Sequence, residues 1–229
     1  MSIDSYFGLC KPDEKKEITV KPALTEIVFE PKAVYKGNWA NKRPYTFDAS
    51  LRALKERGYE RHPRPAEVFD LICNGLEGRL QPEQKAIADN MLYCYSEWMS
   101  MAVLLEGNLL YCYLDPENLV WEKTKYKYVA QGGKLKHAGE EVYSIGSIGL
   151  MNKRVSIKDV NEINPALVEK LWSRRYALLP DEVRQSGRLW LPPENVLWPV
   201  SRFGYFNSRY VIYTNCFSNL ASRGVQRNA

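Results

Sequence analysis

Apolar residues recur every three to four positions from Asp48 to Glu106, and the period shortens to two beyond Leu109, with Gly107-Asn108 at the change. A period near 3.6 buries one stripe of a helix, whereas a period of two buries one face of a strand. A chain that keeps the two in separate runs, instead of alternating them, belongs to the α+β class. The spacing predicts three helices. Asp48 caps the first, Leu51 and Leu54 face inward and Gly58 ends it. Pro65 opens the second, with Val68, Phe69, Ile72 and Leu76 on one face and Gly78 past its end. Pro82 opens a third and longer one carrying Ile87, Met91, Tyr95, Trp98, Ala102 and Leu105.

Strands follow at 109–114, 119–131 and 141–148, separated by turns at Asp115-Pro116-Glu117-Asn118 and Gly132-Gly133. Two helices are inserted, one from Asn164-Pro165 with Leu167, Val168, Leu171 and Trp172 inward, the other from Pro180 to Gly187. Segment 190–200 is expected to wrap the surface. Segments 203–206 and 209–214 read as a hairpin about Asn207-Ser208, and the polar tail from Ser218 should fray. Three subregions result: an extended arm with short strands at 1–47, a three-helix part at 48–107 and a mixed β-rich part at 108–229. They are expected to form one structural unit.

A hydrophobic share of 45% beside 26% charged residues describes a folded protein. Cys10, Cys73, Cys94, Cys112 and Cys216 are odd in number and lack C-x-x-C spacing, so neither a disulfide framework nor a zinc ribbon is implied. The most apolar stretch, 91–114, is interrupted by Glu97, Glu106, Gly107 and Asn108, and no basic-then-apolar leader opens the sequence. A cytoplasmic protein that stays out of membranes is the expectation.

The net charge of +5 is unevenly placed: residues 1–150 hold 20 Lys+Arg against 21 Asp+Glu, and residues 151–229 hold 12 against 6. Such asymmetry marks a surface that meets an acidic partner. The excess lies wholly in residues 151–229, and two segments, one on each side of that division, are locally basic. In Lys123-Thr124-Lys125-Tyr126-Lys127-Tyr128, strand alternation would line Lys123, Lys125 and Lys127 along one face. Lys134, Lys136 and His137 beyond the glycine turn would place charge on both arms of a ribbon, a shape that lies along a phosphate backbone. Lysines on an edge strand also serve simply to prevent aggregation. The last thirty-five residues carry Arg202, Arg209, Arg223 and Arg227 with no Asp or Glu, interleaved with aromatic rings. Arginine beside aromatic groups suits phosphate contact, base stacking and protein hot spots alike. Tyr210, Tyr213 and Phe217 are expected in the core, leaving Arg202 and Arg209 to make contacts. Arg174 and Arg175, near a helix C-terminus, join the inventory.

Signatures of catalysis are sparse. No phosphate-cradling glycine loop, dinucleotide fingerprint or H-E-x-x-H occurs, and two histidines supply little for a metal site or proton relay. No metal or cofactor is expected. Arg57 and His62 have an R-x4-H spacing that resembles the HEPN-type ribonucleases over those two residues alone, and the resemblance implies RNA cleavage by the pair. Gly58 and Pro63 depart from that family by placing the pair in a loop. The same stiff segment, Glu60 to Pro65, would present Arg61, His62 and Arg64 to a partner or serve as an ordinary interhelical turn.

These features favour a non-catalytic nucleic-acid-binding protein, or a subunit of a nucleoprotein assembly, that grips RNA or DNA phosphates through Lys and Arg. The alternatives are an adaptor that binds protein partners or its own copies through aromatic and arginine surfaces, and a nuclease with a dispersed site.

Overall fold

The computed structural model describes residues 27–31, 45–93, 97–146, 154–203, 211–213 and 223–227. Its frame is a seven-stranded sheet assembled from both halves of the chain. In chain order the elements are β1 (Ile27–Phe29), α1 (Phe47–Glu56), α2 (Pro65–Leu76), α3 (Pro82–Tyr93), β2 (Glu97–Glu106), β3 (Leu109–Leu114), β4 (Leu119–Glu122) and β5 (Lys127–Ala130). Then come β6 (Gly139–Ser144), β7 (Arg154–Ser156), α4 (Ile157–Ile163), α5 (Pro165–Trp172), a 3-10 turn (Tyr176–Leu178), α6 (Asp181–Ser186), β8 (Arg188–Trp190), β9 (Trp198–Phe203), β10 (Val211–Tyr213) and β11 (Val225–Arg227). The sheet order is β6-β3-β2-β9-β10-β8-β7, antiparallel except for the parallel β10–β8 pair. The α+β class holds.

The long third helix does not. It stops at Tyr93, and Glu97–Glu106 is strand β2 in the interior of the sheet, so the three-helix part gives up its last ten residues. Along β2 the side chains alternate between two cores. Met99, Met101, Val103 and Leu105 join α2, α3 and α5 on one side, against Val68, Ile72, Met91, Leu167 and Trp172. Trp98 and Ala102 join α1 and the β4–β5 ribbon on the other, against Phe47, Leu119, Tyr128 and Trp198. A strand buried on both faces is apolar throughout, and its residues satisfy a helical spacing as readily as an alternating one. Gly107, at φ 57°, makes the tight β2–β3 turn and does not cap a helix.

Other expectations shift less. Thr46 is the N-cap of α1, its Oγ1 accepting from Ala49 N at 3.4 Å, while Asp48 sits in the first turn. Pro65 opens α2, and Gly58 and Gly78 take the left-handed conformation that follows α1 and α2. Segment 190–200 does not simply wrap the surface: Leu191, Pro192 and Trp198 to Val200 are buried, and Glu194 and Asn195 between them are exposed. β9 and β10 pair antiparallel, Phe203 opposite Val211, and the residues between them lie outside the described set.

The end of the chain is also structural where it is described. β11 pairs with β1, and Arg223 is wholly buried against Glu97. Arg223 Nε donates to Glu97 Oε1 at 3.1 Å, Nη1 to the Glu30 and Pro31 carbonyls at 2.6 and 2.9 Å, and Nη2 to Asn90 Oδ1 at 3.2 Å and Glu97 Oε1 at 3.1 Å. Every guanidinium N–H is thereby engaged, the condition for burying such a charge. Gly224 next to it admits no side chain, since a Cβ there would lie 2.3 Å from the Tyr59 ring. Among the described residues no helix is long and apolar enough to cross a membrane.

Candidate nucleic-acid interface

The lysine segment expected as a continuous strand is instead a hairpin. β4 and β5 pair with Glu122 opposite Lys127, and Lys123-Thr124-Lys125-Tyr126 form the connecting turn, closed by Lys125 N donating to Glu122 O at 3.1 Å. Lys123, Lys125 and Lys127 are exposed, but Lys123 and Lys125 sit in the turn and do not share a strand face with Lys127. The turn escapes sequence reading because it lacks Gly, Asn, Asp or Pro. Its left-handed position, φ 49°, is filled by Tyr126, whose side chain is 76% exposed.

The ribbon is fixed to the body by its inward side chains. Tyr128 is buried and its hydroxyl accepts from Phe47 N at 3.1 Å; the same burial raises its pKa above the ordinary tyrosine value. Trp121 N donates to Asp48 Oδ1 at 3.5 Å. The rings of Tyr128, Trp98, Trp121 and Trp198 meet at steep angles with centroids 5.0 to 6.0 Å apart. Such edge-to-face packing holds a short two-stranded ribbon that would be marginal alone.

Lys134 and Lys136 lie at the other end of the ribbon, not on a second arm. Asn118 organises that loop: its Nδ2 donates to the Gln131 and Lys134 carbonyls at 2.6 and 2.9 Å, and its Oδ1 accepts from Lys136 N at 2.8 Å. The three residue steps of β5 from Lys127 to Ala130, at about 3.3 Å each, set the far end of the strand roughly 10 Å from Lys127. Both lysine groups point to solvent. Lys125 shares an exposed ion pair with Glu122 at 2.8 Å, a contact worth little in water.

Arg174 and Arg175 make their contacts away from the ribbon. Arg175 binds Asn74 Oδ1 at 2.6 Å and also pairs with Glu77, tying α2 to the end of α5. Arg174 pairs with Glu169 at 3.2 Å and is 86% exposed. Arg202 lies on β9 in register with Glu97 and Ile212, and Arg209 lies outside the described residues. The aromatics Tyr210 and Phe217 also lie outside them.

Arg57 and His62 are not presented as a reacting pair. Arg57 is bound to Glu30 through Nε at 2.8 Å and Nη2 at 3.1 Å. His62 is fully buried, with Nε2 2.7 Å from Ser50 Oγ and its ring 5.0 Å from that of Phe47. Ser50 Oγ gives its proton to Phe47 O at 2.8 Å, so Nε2–H must donate to Ser50, and the imidazole is the neutral Nε2–H tautomer. Burial, with Arg57 and Arg61 adding repulsion, pushes its pKa down to about 3. The loop around it turns its charge inward as well. Arg61 binds Glu67 at 2.7 Å and Arg64 binds Asp115 at 2.5 Å, so the segment is a braced interhelical turn and not an offered patch. Among the described residues, no three of His, Cys, Asp and Glu converge as metal ligands.

The chain matches no family model, no curated protein and no solved structure.

Proposed function

We propose that the protein is a non-catalytic nucleic-acid-binding protein, or a subunit of a nucleoprotein assembly, that contacts phosphates through the β4–β5 hairpin. The observation that carries this reading is the concentration of Lys123, Lys125 and Lys127, all exposed, within five residues at the tip of one hairpin whose inward side chains are anchored in an aromatic core. Lys134 and Lys136, exposed on the loop that Asn118 braces, extend the positive surface. Flexible ammonium groups suit sequence-independent phosphate contact, because they neutralise charge without demanding one geometry. The nuclease alternative loses its concrete support, since His62 is sealed and Arg57 is held by Glu30.

Binding of this kind releases counterions. The logarithm of affinity should therefore fall linearly with the logarithm of salt concentration, with a slope near −0.7 to −0.9 for each phosphate contacted. Fluorescence anisotropy with a labelled oligonucleotide measures it. Replacing Lys123, Lys125 and Lys127 together by Ala should flatten the slope by roughly 2 to 3. The unfolding free energy should stay within about 0.5 kcal/mol of wild type, as expected for exposed side chains. An unchanged slope would remove the hairpin from the interface, and absence of binding at low salt would overturn the function.

A further inference from the structure

Lysines explain attraction to any polyphosphate, but they leave Tyr126 unexplained. Among the exposed large apolar side chains of the described residues it is the most open, at 76%, where Val142, Leu178, Leu76 and Val28 reach 47, 46, 45 and 36%. It also occupies a backbone position, φ 49°, that suits Gly or Asn and is unfavourable for an aromatic residue. A ring held in that conformation, turned to water and flanked by lysines, does little for folding.

The ring is nevertheless oriented. Its centroid lies 6.4 Å from that of Trp121 at an interplanar angle of 78°. Trp121 in turn packs against Tyr128 and Trp198, and Tyr128 against Trp98, which meets Phe47 at 5.8 Å. Tyr126 is thus the outermost member of a series of tilted and edge-to-face aromatic contacts that begins in the core. A side chain braced in this way loses little freedom when a partner settles on it.

From this geometry we infer that the hairpin takes single-stranded nucleic acid in preference to duplex, Tyr126 stacking on one unpaired base while Lys123, Lys125 and Lys127 engage the neighbouring phosphates. The inference rests on the nucleic-acid reading above and adds the class of strand. Every base has a π-face, so stacking is tolerant of sequence, but the base must be free of its helix to offer that face. A duplex presents only its phosphates to such a tip. The contact is non-covalent, and the phenol hydroxyl takes no necessary part in it.

The test compares the full chain with its Tyr126→Ala and Tyr126→Phe variants at low salt. Anisotropy would be measured with labelled oligothymidylate, oligouridylate, a mixed-sequence duplex and an abasic sugar-phosphate strand, all of equal length. Wild type should bind both single strands about ten-fold more tightly than the abasic strand, the size of effect expected from stacking on one base. The duplex should bind more weakly than either single strand. Tyr126→Ala should lose the preference for strands with bases over the abasic strand, and Tyr126→Phe should keep it. Duplex bound as tightly as single strands, or Tyr126→Ala indistinguishable from wild type on them, would overturn the inference and leave the phosphate reading standing. No binding to any of the four would overturn the phosphate reading itself.

Discussion

Lys123 to Lys127 and Arg223 to Arg227 are both five-residue basic segments, yet the lysines of the first lie in water and Arg223 of the second lies in the interior. The difference lies in what the rest of the chain brings to them. The lysines find one carboxylate, Glu122, inside their own turn. Arg223 finds Glu97, 126 positions away in sequence, the Glu30 carbonyl 193 positions away and the Asn90 amide. A planar guanidinium with five donors can be saturated by such a cage, whereas an ammonium on a flexible stem keeps most of its hydration by staying outside. Basic composition therefore reports a surface only where no acidic partner waits elsewhere in the fold.

The strongest way to break this contrast is to remove the cage. Arg223→Ala leaves Glu97 buried and unpaired, and should destabilise the protein by about 3–5 kcal/mol. In a domain of this size that corresponds to a Tm lower by roughly 10 °C. Replacing both partners, Arg223→Met with Glu97→Leu, should recover much of the loss, because the penalty of the single change is largely that of a stranded charge. Thermal or urea unfolding of the two single variants and the double variant measures it. A Tm for Arg223→Ala within a degree or two of wild type would place this arginine at the surface and erase the distinction from the hairpin.

A second test uses proton linkage in the same interior. His62 titrates near 3 when folded and near 6.5 when unfolded. Between those values the unfolded chain binds a proton that the native state refuses, so stability falls as pH falls. From pH 6.5 to 5 the loss should reach about 1.6 kcal/mol, the slope steepening toward a limit of about 1.4 kcal/mol per unit. His62→Gln keeps an amide in reach of Ser50 and removes the titrating group. Its stability, measured by urea unfolding, should change far less over that window. Parallel wild-type and variant curves would mean that His62 is accessible, and would return the Arg57–His62 pair to consideration.

How much of this was legible depends on whether each signal is local. Pro65 and Pro82 opening helices, Gly58 and Gly78 following them, and Leu167, Val168, Leu171 and Trp172 as the inward face of α5 all follow from neighbours in sequence. Strand β2 carries no local mark of its state because its surroundings, helices on one side and a ribbon on the other, are supplied from afar. The short helix α4 does carry a local capping signal in Ser156 and Asp159, the Ser156 hydroxyl accepting from Asp159 N at 3.1 Å. At the candidate interface the residue types were visible and their arrangement was not. A turn with tyrosine in the left-handed position offers no glycine or asparagine to announce it, so strand alternation alone puts the lysines on one face. The role of Arg223 could not be read at all, since its partners are separated from it by most of the chain.

The smallest expected effect is the most discriminating for the hairpin. Tyr126→Gly replaces an L-residue at φ 49° by one that adopts this conformation freely. Relief of roughly 1–2 kcal/mol of left-handed strain is offset in part by the greater backbone entropy of glycine in the unfolded chain. The net change should be a stabilisation of about 0.5 kcal/mol, read as a slightly higher urea midpoint. The same variant should lose affinity for single strands, since no ring remains to stack. Stability and binding then move in opposite directions, the mark of a residue kept for contact and not for packing. Should Tyr126→Gly instead unfold more easily, the Trp121–Tyr126 contact would belong to the aromatic core, and the hairpin tip would join Arg223 among the parts that hold the fold together.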